Sequence, residues 1–174
     1  MASTYLKRTQ TAGNRKTWTY SAWIKRTGVG VLGSLIGSSS AGNNNGYGQI
    51  RFLADDTLNF TAWSEWWVTN RKFRDTSAWY HIVISVDTTQ ATDTNRFKLY
   101  INGEQETSFS TINYPTQNFD LSLNVNGADV YLGAESYSSG TSRFFEGSMS
   151  HINFIDGTAY DATAFGEYDA NGVW

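Results

Sequence analysis

The chain contains no cysteine and only one proline, Pro115. Without cysteine there is no disulfide framework and no thiolate metal site, although that alone leaves the compartment open. Charge is sparse as well: Asp, Glu, Lys and Arg make up 17% of the 174 residues, with a formal net charge of -3. An acidic balance with no basic patch offers nothing to a phosphate backbone, which excludes nucleic acid as a partner. No segment approaches the roughly 20 apolar residues of a membrane span, so no membrane insertion is expected. Residues Met1–Gln10 carry Lys7, Arg8 and several polar side chains and lack the apolar stretch of a signal peptide. The expectation is a soluble protein made in a cytoplasm, reaching any extracellular role by a non-classical route or by lysis.

What is abundant points to one fold class. Aromatic residues reach 16%, with 7 Trp, 10 Tyr and 10 Phe, and there are 16 glycines. Broad side chains suit the pleated surface of a strand, and Gly with Asn suits the turns between strands. Alternation with period two recurs along the chain. In Thr17–Lys25, Trp18, Tyr20, Ala22 and Ile24 fall on one face, and Thr17, Thr19, Ser21, Trp23 and Lys25 on the other. Gln49–Leu53 and Thr57–Trp63 read as a hairpin turning at Asp55-Asp56. Trp79–Asp87 is the clearest strand, and Arg96–Asn102 is its partner. Asn102-Gly103 is a type I′ hairpin dipeptide, after which Glu104–Phe109 returns as the next strand. Asp129–Ala134 and Gly147–Asp156 add two more, and Asp161–Phe165 is the one helical turn expected. With no repeat, linker or low-complexity tail, residues 1–174 read as a single domain. Strands with one apolar face each must close against a second sheet, giving an all-β, two-sheet antiparallel β-sandwich; a closed barrel is the alternative.

Three segments carry a resemblance. Thr17–Lys25 (TWTYSAWIK) is similar to the early strand of laminin-G-like jelly rolls. Ala78–Glu104 (AWYHIVISVD…RFKLYINGE) resembles their central hairpin, and Phe144–Glu167 (FFEGSMSHINFIDGTAYDATAFGE) their closing strand. The resemblance implies a jelly roll of the concanavalin A-like lectin/glucanase superfamily. Asn14–Trp18 (NRKTW), the Phe-x-Asp-Gly closing strand and Ala-Phe-Gly-Glu also resemble domains of tailed-phage virion proteins. That narrower likeness implies a virion component such as a tail fibre or capsid decoration, a homo-oligomer in the particle, with glycans or other virion proteins as partners.

The superfamily also houses glycosidases, whose retaining members need two carboxylates about 5–5.5 Å apart. The Glu-x-Asp-x-Glu strand of its glucanase branch has no counterpart here. The nearest feature, Glu104-Gln105-Glu106, reads as a solvated strand beside a turn. His81 and His151 read as hydrogen-bonded strand histidines, and no Gly-x-Ser-x-Gly elbow is present. The expectation is a non-catalytic lectin-like module; a purely structural decoration or oligomerisation domain is the alternative.

Sugar recognition needs a flat aromatic face and neighbouring amides or carboxylates. Ala62–Thr69 (AWSEWWVT) supplies Trp63, Trp66 and Trp67 with Glu65 among them. Such a Trp cluster serves equally as core or subunit contact. Asn43, Asn44 and Tyr137 lie in polar loops and are further carbohydrate-binding candidates. Calcium is a candidate cofactor by the resemblance, with Asp55, Asp56, Asp120 and Asp129 as candidate ligands, though no spacing selects them.

Overall fold

The computed structural model describes residues 4–39, 47–62, 65–137 and 140–174; the side chains of Ser39, Glu65, Trp66 and Tyr137 lie outside the described set. In chain order the strands are β1 (Leu6–Thr9), β2 (Thr17–Arg26), β3 (Gly33–Ser39), β4 (Gly48–Phe52), β5 (Thr57–Ala62), β6 (Glu65–Lys72) and β7 (Tyr80–Asp87). Then follow β8 (Phe97–Ile101), β9 (Glu104–Glu106), β10 (Phe109–Ile112), β11 (Asp129–Leu132), β12 (Glu135–Tyr137), β13 (Gly140–Ser142) and β14 (Gly147–Asp156). One sheet has the order β1-β11-β3-β4-β5-β6-β10, the second β14-β2-β7-β8-β9, and β12-β13 form a separate hairpin. Every strand pairing within the two sheets is antiparallel. The fold is a two-sheet β-sandwich of the jelly-roll kind.

The alternation read in β2 sets the packing. Trp18, Tyr20, Ala22 and Ile24 are fully buried, beside Ile82, Ile84 and Val86 of β7 and Phe97, Leu99 and Ile101 of β8. Ile36, Ile50, Phe52, Leu58, Phe60 and Trp67 close the core from the seven-stranded sheet. Trp67 packs against two rings, 4.7 Å from Phe60 and 4.0 Å from Phe97, with interplanar angles of 14° and 3°, and those two rings are 5.9 Å from each other. Aromatic rings so layered add to the area they bury, so this stack ties the two sheets together.

Asn102 and Gly103 both take positive φ, 50° and 83°, as a type I′ turn requires. The expected return strand Glu104–Phe109 divides instead. β9 pairs with β8 in one sheet, and β10 pairs with β6 in the other. Glu106 fixes the crossing, accepting from the Ser108 N–H (3.0 Å) and from Arg71 Nε (2.8 Å). It is therefore a buried, ion-paired carboxylate rather than a member of a solvated strand; Glu104 is exposed. The expected helical turn appears as a 3-10 turn, Ala162–Ala164, capped by Asp161, but it is not the one such turn: Asp93–Asn95 forms another in the connection between β7 and β8. From Gly157 onward the chain lies over the outer face of the five-stranded sheet, where Thr19 Oγ1 donates to the Thr158 carbonyl and Trp174 reaches His81.

Candidate functional site

Alternation in β4 and β5 sends Ile50, Phe52, Leu58 and Phe60 inward, so Gln49, Arg51, Asn59 and Thr61 turn to the opposite face of the seven-stranded sheet. Ordinarily such a face is wetted, yet all four residues are buried. The β12–β13 hairpin crosses over them. Its crossing point is Gly37 of β3, where an added Cβ would stand 3.0 Å from the Glu135 Cα and 3.1 Å from the Ala134 carbonyl oxygen. Only a residue without a side chain lets the hairpin lie directly on the sheet.

The hairpin brings Glu135, fully buried, onto this face. Arg143 Nη1 donates to Glu135 Oε1, and Arg51 Nη1 stands 3.5 Å from Oε2. Arg51 also donates through Nε to Asn59 Oδ1 (3.1 Å) and through Nη1 to Gln49 Oε1 (2.8 Å). Asn59 Nδ2 in turn donates to the carbonyls of Phe60 (3.2 Å) and Trp67 (3.0 Å). Each polar group thus orients the next. Above this buried layer Tyr47, Ser136, Thr141, Ser142 and Arg143 are partly exposed. Chemically the arrangement can present hydrogen-bond donors and acceptors to a hydroxyl-rich ligand.

The sequence-predicted residues divide around it. Trp67 is a correction: it is 2% exposed and stacked in the core, where the indole binds the two sheets together and touches no solvent. Trp63, Asn43 and Asn44 lie outside the described residues. Glu65 and Trp66 open β6, paired with Ala62 and Thr61, and Tyr137 closes β12, paired with Gly140. Trp66 and Tyr137 therefore belong to the elements that frame the polar layer. Gln49, Arg51, Asn59, Glu135 and Arg143 were not singled out by sequence reasoning. A signal existed: the outward positions of the β4–β5 hairpin hold Gln, Arg and Asn, where β2 mostly holds Thr, Ser and Lys.

The acidic residues weighed for calcium do not converge. Asp56 is buried, ion-paired with Arg26 (3.1 Å) and Arg74 (2.9 Å), and accepts from the Gly30 N–H (2.7 Å). Those donors hold its carboxyl below the usual range against the opposing effect of burial. Asp55 caps Thr57, Asp129 is taken by Lys7 and Thr9, and Asp120 stands exposed. These four do not form a calcium site, and among the described residues no three acidic or histidine side chains cluster as metal ligands.

The two histidines differ. His81 is buried, stacked on Trp23 at 4.9 Å, with the Trp174 ring centred 5.8 Å away and tilted by 16°. Because the Trp174 indole N–H can only donate to Nδ1 (2.9 Å), the ring proton sits on Nε2 and is donated to Ser21 Oγ (2.9 Å). Burial first, and then the nearby His151, push its pKa down to about 4. His151 is exposed and lies at the β14 irregularity with φ 49°.

The model of the concanavalin A-like lectin/glucanases superfamily matches residues 2–162. Among curated proteins no match is found. Among solved structures, the chain is similar to the carbohydrate-binding module CBM40 of the Ruminococcus gnavus IT-sialidase bound to α2,3 sialyllactose. The TM-score is 0.58 at 15% identity, covering 91% of this chain and 95% of that one. Domain 4 of AbnA, an extracellular arabinanase of Geobacillus stearothermophilus in complex with arabinotriose, gives 0.60 at 17%, covering 88% and 67%. The heptameric SAP-like pentraxin of Limulus polyphemus gives 0.59 at 17%, covering 86% and 68%. At these identities the structural likeness is one of fold, and it agrees with the family match. The chain belongs to the concanavalin A-like lectin/glucanase superfamily.

Proposed function

We propose that the chain is a non-catalytic glycan-binding module whose binding surface is the polar rim of the β12–β13 hairpin. One observation carries this reading: a buried layer of Arg51, Asn59, Gln49 and Glu135 that holds Arg143 at a partly exposed rim carrying Ser136, Thr141 and Ser142. A folded protein spends stability on such a layer unless the groups it orients are used, since buried ion pairs seldom stabilise more than apolar packing. Two of the similar structures hold oligosaccharides, sialyllactose and arabinotriose. The buried carboxylates Glu106, Asp56 and Glu135 are each matched to a guanidinium, an arrangement suited to scaffolding rather than to proton transfer. The module would serve a tailed-phage virion, as a tail-fibre or capsid component assembled in the host cytoplasm.

A glycan array with sialylated, uronic-acid-containing and neutral oligosaccharides tests the binding. Saturable retention on at least one glycan class is expected, weakened at least about tenfold by Arg143→Ala, which amounts to about 1.4 kcal/mol. No retention, or retention indifferent to that change, overturns it. The second reading is a structural decoration or oligomerisation domain, favoured by the exposed Tyr5 and Leu6 at the edge strand β1. Mass spectrometry of purified virions and light scattering of the isolated chain separate the two.

A further inference from the structure

On the other side of the sandwich, the outer face of the five-stranded sheet carries a cleft of about 220 Å³ lined by Trp23, Trp79, Ser150 and His151. No proposal above uses it. Trp79 is 41% exposed, a large indole left open immediately before β7. Trp23 is fixed: the imidazole of His81, its partner on β7, is stacked on it at 4.9 Å and 15°, and the Trp174 contact holds that imidazole in turn. Ser150 is Trp23's partner on the other neighbouring strand, β14. There the ladder slips between Ser150 and Asn153, and His151 takes a left-handed φ of 49°. That conformation is costly for a residue with a side chain, and bulges of this kind re-aim side chains. It is held by Asn153 Nδ2, which donates to the His151 carbonyl (2.9 Å), and it sets His151 Nδ1 2.8 Å from Ser150 Oγ.

We infer that this cleft is a second sugar site, taking one neutral pyranose. Its lining has two indoles for the C–H face of the ring and a hydroxyl with an imidazole for the ring's hydroxyl groups. No carboxylate, ammonium or guanidinium lines it, so it offers nothing to an acidic sugar. Lying on the opposite sheet from the β12–β13 rim, it would make the module bivalent, and two weak sites on one particle-borne chain multiply avidity without new contacts.

The test follows the indole N–H signals of the whole chain by ¹H–¹⁵N spectroscopy during titration with the methyl glycosides of glucose, galactose, mannose and N-acetylglucosamine. At least one is expected to shift the Trp23 and Trp79 signals saturably. The shift should vanish in Trp79→Ala, an exposed position whose loss leaves the core intact, weaken severalfold in Ser150→Ala, and persist in Arg143→Ala. Silence of both signals with all four glycosides overturns the assignment, as does an unchanged titration in Trp79→Ala. Persistence in Arg143→Ala keeps the result separate from that of the β12–β13 rim.

Discussion

Replacing Glu135 by Gln removes the charge that two guanidiniums share while keeping the shape of the side chain. Glu135 is 1% exposed and Arg51 11%, so their pairing is almost wholly desolvated, whereas Arg143 keeps 33% of its surface in water. Breaking a buried pair from one side costs about 3–5 kcal/mol, because the partner charge stays buried. Arg51 retains the acceptors Gln49 Oε1 and Asn59 Oδ1, and Arg143 can turn to solvent, which places the loss near the lower end, about 3 kcal/mol. A domain with about 5–15 kcal/mol of stability survives that. Urea unfolding of the two proteins measures it as a fall in midpoint at constant slope. The pair Arg51→Met with Glu135→Leu should recover most of the loss, since the two desolvated charges leave together and Arg143, one-third exposed, can turn to solvent. A loss below about 1 kcal/mol in Glu135→Gln, or a double variant worse than the single one, refutes the description of this layer as one coupled unit.

Trp67→Ala removes the ring packed against Phe60 and Phe97 and should cost about 3–5 kcal/mol in the same urea assay; an effect below 1 kcal/mol contradicts its place in the core. Stability should also depend on acidity through His81. The unfolded chain takes up that proton near pH 6.5, while the folded chain resists until about pH 4. Stability is therefore complete above pH 6.5 and declines as the pH falls toward 4, by on the order of 2 kcal/mol after allowance for partial solvation. Melting curves across that range check it, and a slope unchanged in His81→Asn contradicts it. Gly103→Ala forces a side chain at φ 83° and into the Trp174 ring, so a loss of about 1–3 kcal/mol and release of the C-terminal segment to proteolysis are expected.

The alternation in β2, β7 and β8 was legible because each of those strands has a uniform apolar face, and period two then names its inward residues directly. The Asn102-Gly103 turn was legible because few dipeptides take two positive φ angles. The polar layer was not. Local patterning tells that Gln49, Arg51, Asn59 and Thr61 turn away from the core, but not that a hairpin 70 or more residues later will be laid upon them. Glu135 and Arg143 meet Arg51 only through that long-range crossing, at a glycine whose reason appears once the hairpin is in place. The same limit applies to Asp56 and Glu106, read as a turn residue and a solvated strand residue and found matched to arginines distant in sequence. Trp67 was misassigned because an aromatic cluster reads alike whether it faces a sugar or a second sheet.

The most direct test of the account is to map, by backbone amide shifts, where an oligosaccharide retained on the array touches the protein. The account predicts changes concentrated at Tyr47, Ser136 and Thr141 to Arg143, the rim above the buried arginine layer. Changes confined to the edge strand β1 or to the C-terminal segment, with that rim silent, would contradict it.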